Sequence, residues 1–161
     1  MKRRMGIATL FCVLVFAFSS LVCAADPIVI GVPTSTGFVE GKEGLVVVQM
    51  AVDEINAKGG VKVGAEKRKF KIESIDIRDA APGVPVPEAL LGIEKIILEK
   101  KPTALLIGPF RSEALLAAMD IVAKHKVPMI GSIAMTPASE EKVKKEPDKY
   151  KYIFRTCLNA K

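Results

Sequence analysis

Tryptophan is missing from this 161-residue chain, tyrosine occurs twice and histidine once. Aromatic residues make up 6% of the whole, too few to interleave a basic surface with base-stacking rings. The single histidine, His125, closes a helical stretch that opens near Ser112, about 18 Å away along a helix axis. Ser35, Ser112 and Ser132 are therefore left without a general base, and His125 reads as an exposed turn residue. Cysteine is nearly as scarce. Of three, Cys12 and Cys23 fall in the first 25 residues, so Cys157 stands alone with no disulfide framework around it. It reads as a small apolar residue.

Motifs are missing too. No Gly-x-Ser-x-Gly elbow, zinc-ligand spacing or Gly-x-Gly-x-x-Gly fingerprint occurs. Gly41-Lys42 is followed by Glu43, so it is no phosphate-cradling loop. Asp53 and Glu54 are adjacent on a helical stretch and point apart, as on a solvated face. These gaps speak against an enzyme and imply no cofactor and no metal.

What is present is a globular composition, 50% hydrophobic and 26% charged, with room for one sizeable core. The net charge of +6 shrinks to +3 once Lys2, Arg3 and Arg4 are set aside, leaving 21 basic against 18 acidic residues. Those charges are mixed along the chain, which suits solubility and gives no nucleic-acid surface. The three basic residues open a leader without acids. Met5 to Val22 is apolar apart from Thr9, Ser19 and Ser20; Cys23-Ala24-Ala25 are small, and Asp26-Pro27 is polar. That order predicts a signal peptide over residues 1–25, cleaved near Ala24 or Ala25, and a periplasmic or otherwise secreted protein. An uncleaved anchor is the alternative for an apolar run this long, and bulky Val22 disfavours lipidation at Cys23.

Beyond the leader, strand and helix patterns alternate. Residues 28–32 and 104–108 are short apolar runs, as in strands buried on both faces, and residues 70–77, 127–133 and 152–154 read as further strands. Residues 43–58, 87–100 and 112–124 carry apolar residues at helical spacing; Gly59-Gly60 stops the first, Pro87 starts the second and Ser112 caps the third. Residues 138–148 are charged and briefly helical. Such alternation predicts a doubly wound parallel α/β sheet with right-handed crossovers. Ligands sit beyond the carboxyl ends of such strands, which here means residues 33–44, 78–87, 109–112 and 134–137. In the Gly108-Pro109-Phe110-Arg111-Ser112 turn, the amides opening a helix and the Ser112 hydroxyl could hold a small anion.

Several segments carry a family resemblance. They are the strand at Ile28–Val32, Thr36-Gly37, and Ala51-Val52-Asp53-Glu54-Ile55-Asn56-Ala57-Lys58-Gly59-Gly60-Val61. Asp79, Ile107-Gly108-Pro109, Ser112, Val127-Pro128-Met129-Ile130, Ala134-x-Thr136-Pro137 and Phe154-Arg155-Thr156 follow in order. Together these resemble periplasmic leucine/isoleucine/valine-binding proteins. The resemblance implies a type I periplasmic binding fold of two Rossmann-like lobes closing on a small solute, usually an amino acid. It also implies delivery to an ABC permease in the membrane, and a monomer when complete. A ligand-sensing lobe of a receptor or regulator is the alternative use of the same fold.

By the same resemblance, Ser112 and the loop Ala134, Met135 and Thr136 hold the ligand carboxylate, Phe38 supplies an aromatic wall, and Pro109 and Phe110 complete the turn. Met135 stands where the family commonly has a hydroxyl, so either Thr136 takes over or the amino-group contact weakens. Arg111 has no counterpart; it either pairs with a second acid group or points to solvent, and solvent is the expected direction. Residues 26–156 correspond to an N-terminal lobe and 157–161 to the start of a crossover to a second lobe. The ligand class expected is an amino acid or a related carboxylate or amide.

Overall fold

The computed structural model describes residues 26–160; the leader assigned to residues 1–25 lies outside them. β1 (Ile28–Thr34) leads into α1 (Val39–Ala57), the hairpin strands β2 (Val61–Val63) and β3 (Glu66–Arg68), and β4 (Phe70–Asp76). Then come α2 (Val86–Lys100), β5 (Ala104–Ile107), α3 (Ser112–His125), β6 (Met129–Gly131), α4 (Ala138–Lys145), α5 (Pro147–Tyr150) and β7 (Ile153–Arg155). Five strands form one parallel sheet in the order β4-β1-β5-β6-β7, so the doubly wound architecture is borne out. The chain steps one way from β1 to β4 and the other way from β5 onward. β1 and β5 therefore flank the topological switch point, and sheets of this kind hold ligands beyond the carboxyl ends of the strands there.

Two apolar layers follow from strand alternation. One packs Leu105, Met129 and Ile153 of the sheet under Ala89, Ile93 and Ile97 of α2 and Leu115, Met119 and Val122 of α3. Gly31 permits this approach, because a Cβ there would lie 2.6 Å from the Leu105 Cδ2. Fully burying one such aliphatic side chain contributes about 1.5–3 kcal/mol. The other layer sets Leu45 and Val48 of α1 over Ile30, Val32 and Ile107. α1 does not reach the far strands: Ile130 and Phe154, paired in register on β6 and β7, remain exposed on that side.

The structure corrects several sequence expectations. α1 begins at Val39, inside the segment expected to be a loop. Its first turn lies directly on the end of β1, and Gly41 allows this, since a Cβ would come within 2.1 Å of the Ser35 carbonyl oxygen. The β2–β3 hairpin was not expected; its strands are three residues each and mostly charged, with no apolar period to betray them. β6 is shorter than residues 127–133, and β7 sits one residue later than expected. His125 is half-buried, not exposed, with its Nε2 2.9 Å from Glu94 Oε1.

Candidate ligand-binding site

Three loops meet at the switch point. After β1, Phe38 stands as the last residue before α1, 38% exposed. After β5, Pro109 is buried and Phe110 half-buried, and the Phe38 and Phe110 rings meet with centroids 5.6 Å apart and planes tilted by 42°. Such a tilted pair forms an apolar wall with part of its face open to solvent. Ser112 is the first helical residue of α3; Arg111 occupies the cap position, and no side chain caps the helix. The expectation of a Ser112 cap is thus corrected by one residue. Leu115 donates the first backbone bond of the helix, to the Arg111 carbonyl. Among the described residues, the amides of Ser112, Glu113 and Ala114 find no acceptor. Ala114 has no exposed surface, so the donors left at the positive end of this helix dipole are the amides of Ser112 and Glu113, shortly after Phe110.

Asp79, in the loop after β4, holds this arrangement from beneath. It is fully buried, and accepts the Ser35 hydroxyl at 2.6 Å and the Arg111 amide at 2.8 Å. Asp76 does similar work nearer the surface, accepting the amides of Thr36 and Arg78 at 3.2 and 3.0 Å. The Arg111 guanidinium does not run to solvent as expected. It folds back, its Nη2 donating to the Val84 carbonyl at 3.0 Å, with Glu113 beside its Nε at 3.6 Å. Asp79 and Ser35 gave little functional signal in the sequence, since a loop Asp and a loop Ser reveal their partner only when distant segments meet.

The loop after β6 is engaged differently. Ala134 is buried, and its carbonyl accepts from Arg155 Nη1 at 3.0 Å and Cys157 Sγ at 3.1 Å. Met135 is 47% exposed and its carbonyl takes the Ala160 amide. The Thr136 hydroxyl accepts the Ala138 amide at 3.3 Å, turned toward the start of α4. Arg155 ties this loop to Glu140 through an ion pair, the Nε–Oε1 distance being 3.0 Å. Burial alone would raise the Glu140 carboxyl and lower the Arg155 guanidinium, but their mutual bond moves both the other way. The structure therefore brings Phe38, Pro109, Phe110 and Ser112 together, with Ala134, Met135 and Thr136 on the neighbouring strand's loop. The Ser132 amide joins the two groups by donating to the Ile107 carbonyl at 3.0 Å.

Residues 28–158 match the periplasmic binding protein family. The chain belongs to that family. A comparison with curated protein sequences gives no match. Among solved structures, this periplasmic binding protein chain is similar to a candidate branched-chain amino acid ABC transporter protein from Silicibacter pomeroyi, at 26% identity and a TM-score of 0.67 over 83% of this chain and 32% of that one. The branched-chain amino acid transporter substrate-binding protein LivJ from Streptococcus pneumoniae, in complex with isoleucine, shares 23% identity and a TM-score of 0.65 over 83% and 34%. A solute-binding protein of an ABC transporter from Rhodopseudomonas palustris BisB5, in complex with 3,4-dihydroxybenzoic acid, gives 18% and 0.58 over 82% and 32%. The last two likenesses are of fold. The chain spans about a third of the length of these solved structures.

Proposed function

We propose that residues 26–156 are the N-terminal lobe of an extracytoplasmic solute-binding protein. It captures a small carboxylate with an apolar body, an amino acid or a related acid, and delivers it to an ABC-type importer. The observation that carries this reading is the uncapped first turn of α3, with the Ser112 and Glu113 amides without acceptors, following closely on Phe110 of the Phe38–Phe110 wall. Donors of that kind suit a carboxylate, and the rings suit its hydrocarbon part. Family membership supports the role. The isoleucine of one similar structure and the dihydroxybenzoic acid of another have a carboxylate in common. The Thr136 hydroxyl is committed to the start of α4, and Asp79 is committed to Ser35 and Arg111. This lobe therefore reads the carboxylate and the apolar part of a ligand, and leaves an amino group to a second lobe.

The test is a titration of the ¹⁵N-labelled chain with L-leucine and with 3,4-dihydroxybenzoate. Shifts should centre on Phe38, Phe110, Ser112 and Glu113. An open half-site leaves water around the polar contacts, so the dissociation constant should be roughly millimolar. Saturating probe that leaves those amides unmoved would refute the reading. Micromolar affinity by isothermal titration would refute the half-site argument.

A further inference from the structure

Asp79 is a carboxylate with no exposed surface and, among the described residues, no cation on it. A charge buried in this way is costly unless every oxygen is hydrogen-bonded. Both are: Oδ1 takes the Ser35 hydroxyl and Oδ2 the Arg111 amide. Ser35 Oγ in turn accepts the Ala80 amide at 3.0 Å. One side chain thus ties the loops after β1, β4 and β5, the three that meet at the switch point.

The turn it holds is strained. Ile107 is β-branched and has φ of 74°, and Gly108 follows at 76°. The Gly108 amide donates to the Leu106 carbonyl at 3.0 Å, closing a γ-turn of the rare positive-φ kind. That turn swings the Ile107 side chain off the Leu105 face and against Gly44 of α1, where a Cβ would lie 3.0 Å from Ile107 Cδ1. Such a backbone persists only where its surroundings over-determine it. The Ser132 amide fixes the Ile107 end of the turn, and the Asp79 carboxylate fixes the Arg111 end by the residue directly ahead of Ser112.

We propose that Asp79 is a positioning residue for the carboxylate site. By taking the Arg111 amide, it sets the direction of the free amides of Ser112 and Glu113 at the switch point and holds Phe110 against Phe38. This rests on the carboxylate-binding reading above. The bonds through Asp79 are charge-assisted and short, and so suited to fixing direction.

Three substitutions in the full chain test it: Asp79→Ala, Asp79→Asn and Ser35→Ala. In ligand-free spectra, Asp79→Ala should move the Ser112 and Glu113 amide resonances and abolish the Phe38–Phe110 cross-peaks. Its L-leucine affinity should fall about tenfold or more, equal to about 1.4 kcal/mol. Asp79→Asn still offers an oxygen to the Arg111 amide, and should keep affinity within about threefold while melting at a lower temperature. Ser35→Ala removes the other bond of the same carboxylate and should also melt lower with affinity kept. Unmoved Ser112 and Glu113 resonances in Asp79→Ala, or affinity that follows stability across all three variants, would overturn the proposal. If Asp79→Ala does not fold, Ser35→Ala decides, since loss of affinity there in proportion to stability would equally overturn it. Failure of the carboxylate reading is distinct: the unsubstituted chain would show no leucine shifts, and the ligand-free spectra alone would then judge Asp79.

Discussion

Gly41→Ala should destabilise this protein, although alanine is the better helix former. Gly41 is the third residue of α1 and is buried against the end of β1. A Cβ there would lie 2.1 Å from the Ser35 oxygen, 2.8 Å from its carbonyl carbon and 2.9 Å from Thr34 Oγ1. Favourable contact begins at about 3.5 Å, so the overlap exceeds about an ångström. The opposing atoms cannot step aside. β1 is paired to β4 through seven residues up to Thr34, and Ser35 is held by Asp79. Overpacking costs about 1–3 kcal/mol, and a backbone opponent places this case at the upper end. Alanine returns about 1 kcal/mol of helix propensity, leaving a net loss of about 2 kcal/mol. Urea unfolding followed by far-ultraviolet circular dichroism measures it, with an unchanged m-value licensing the comparison. Gly37→Ala is the control. Nothing lies within 4 Å of its Cβ position and its φ is ordinary, so it should be neutral or gain up to about 1 kcal/mol. A Gly41→Ala protein as stable as its parent would refute the seating of α1 on β1, and with it the placement of Phe38.

The acid limb of stability should depend on Asp120. Burial by itself would raise its carboxyl, but hydrogen bonds from Lys142, Lys149 and Tyr150 outweigh that and hold it well below the usual range. A depressed folded-state value means its contribution is complete above the unfolded value of about 3.9 and fades as pH falls below that. Asp120→Asn should therefore lower stability at neutral pH and flatten the decline below about pH 4 in thermal melts; an unaltered acid limb would rule the linkage out. Phe154, 54% exposed beside Ile130, should make the chain bind the dye ANS. Phe154→Ser should dim that fluorescence with little change in melting temperature, and undiminished fluorescence would show that the dye binds elsewhere.

Periodicity carried most of the architecture. Residues such as Ile28–Val32 and Ala104–Gly108 announce buried strands because a run of apolar β-branched and aliphatic side chains has few other places to go. Leu115, Met119 and Val122 announce a helix face by their spacing alone, and all are buried. Alternation of these units then selects a parallel sheet, and the sheet selects which loops can hold a ligand. That much is local information, written within a dozen residues at a time.

What the sequence left open depends on contacts between distant segments. Gly41 looks like a loop residue until the end of β1 lies beneath it, and then it is the one residue the helix can tolerate there. Arg111 looks solvent-bound until the Val84 carbonyl arrives from another loop. Ser112 looks like a cap until the turn before it, bent at Ile107 and tied to Asp79, moves the helix start by one residue. Composition and spacing determined the class of the fold and the edge at which sheets of this class hold ligands. Tertiary structure decided which amides are free there, because a hydrogen-bond donor is spent or available only according to what the rest of the chain brings within about 3 Å of it.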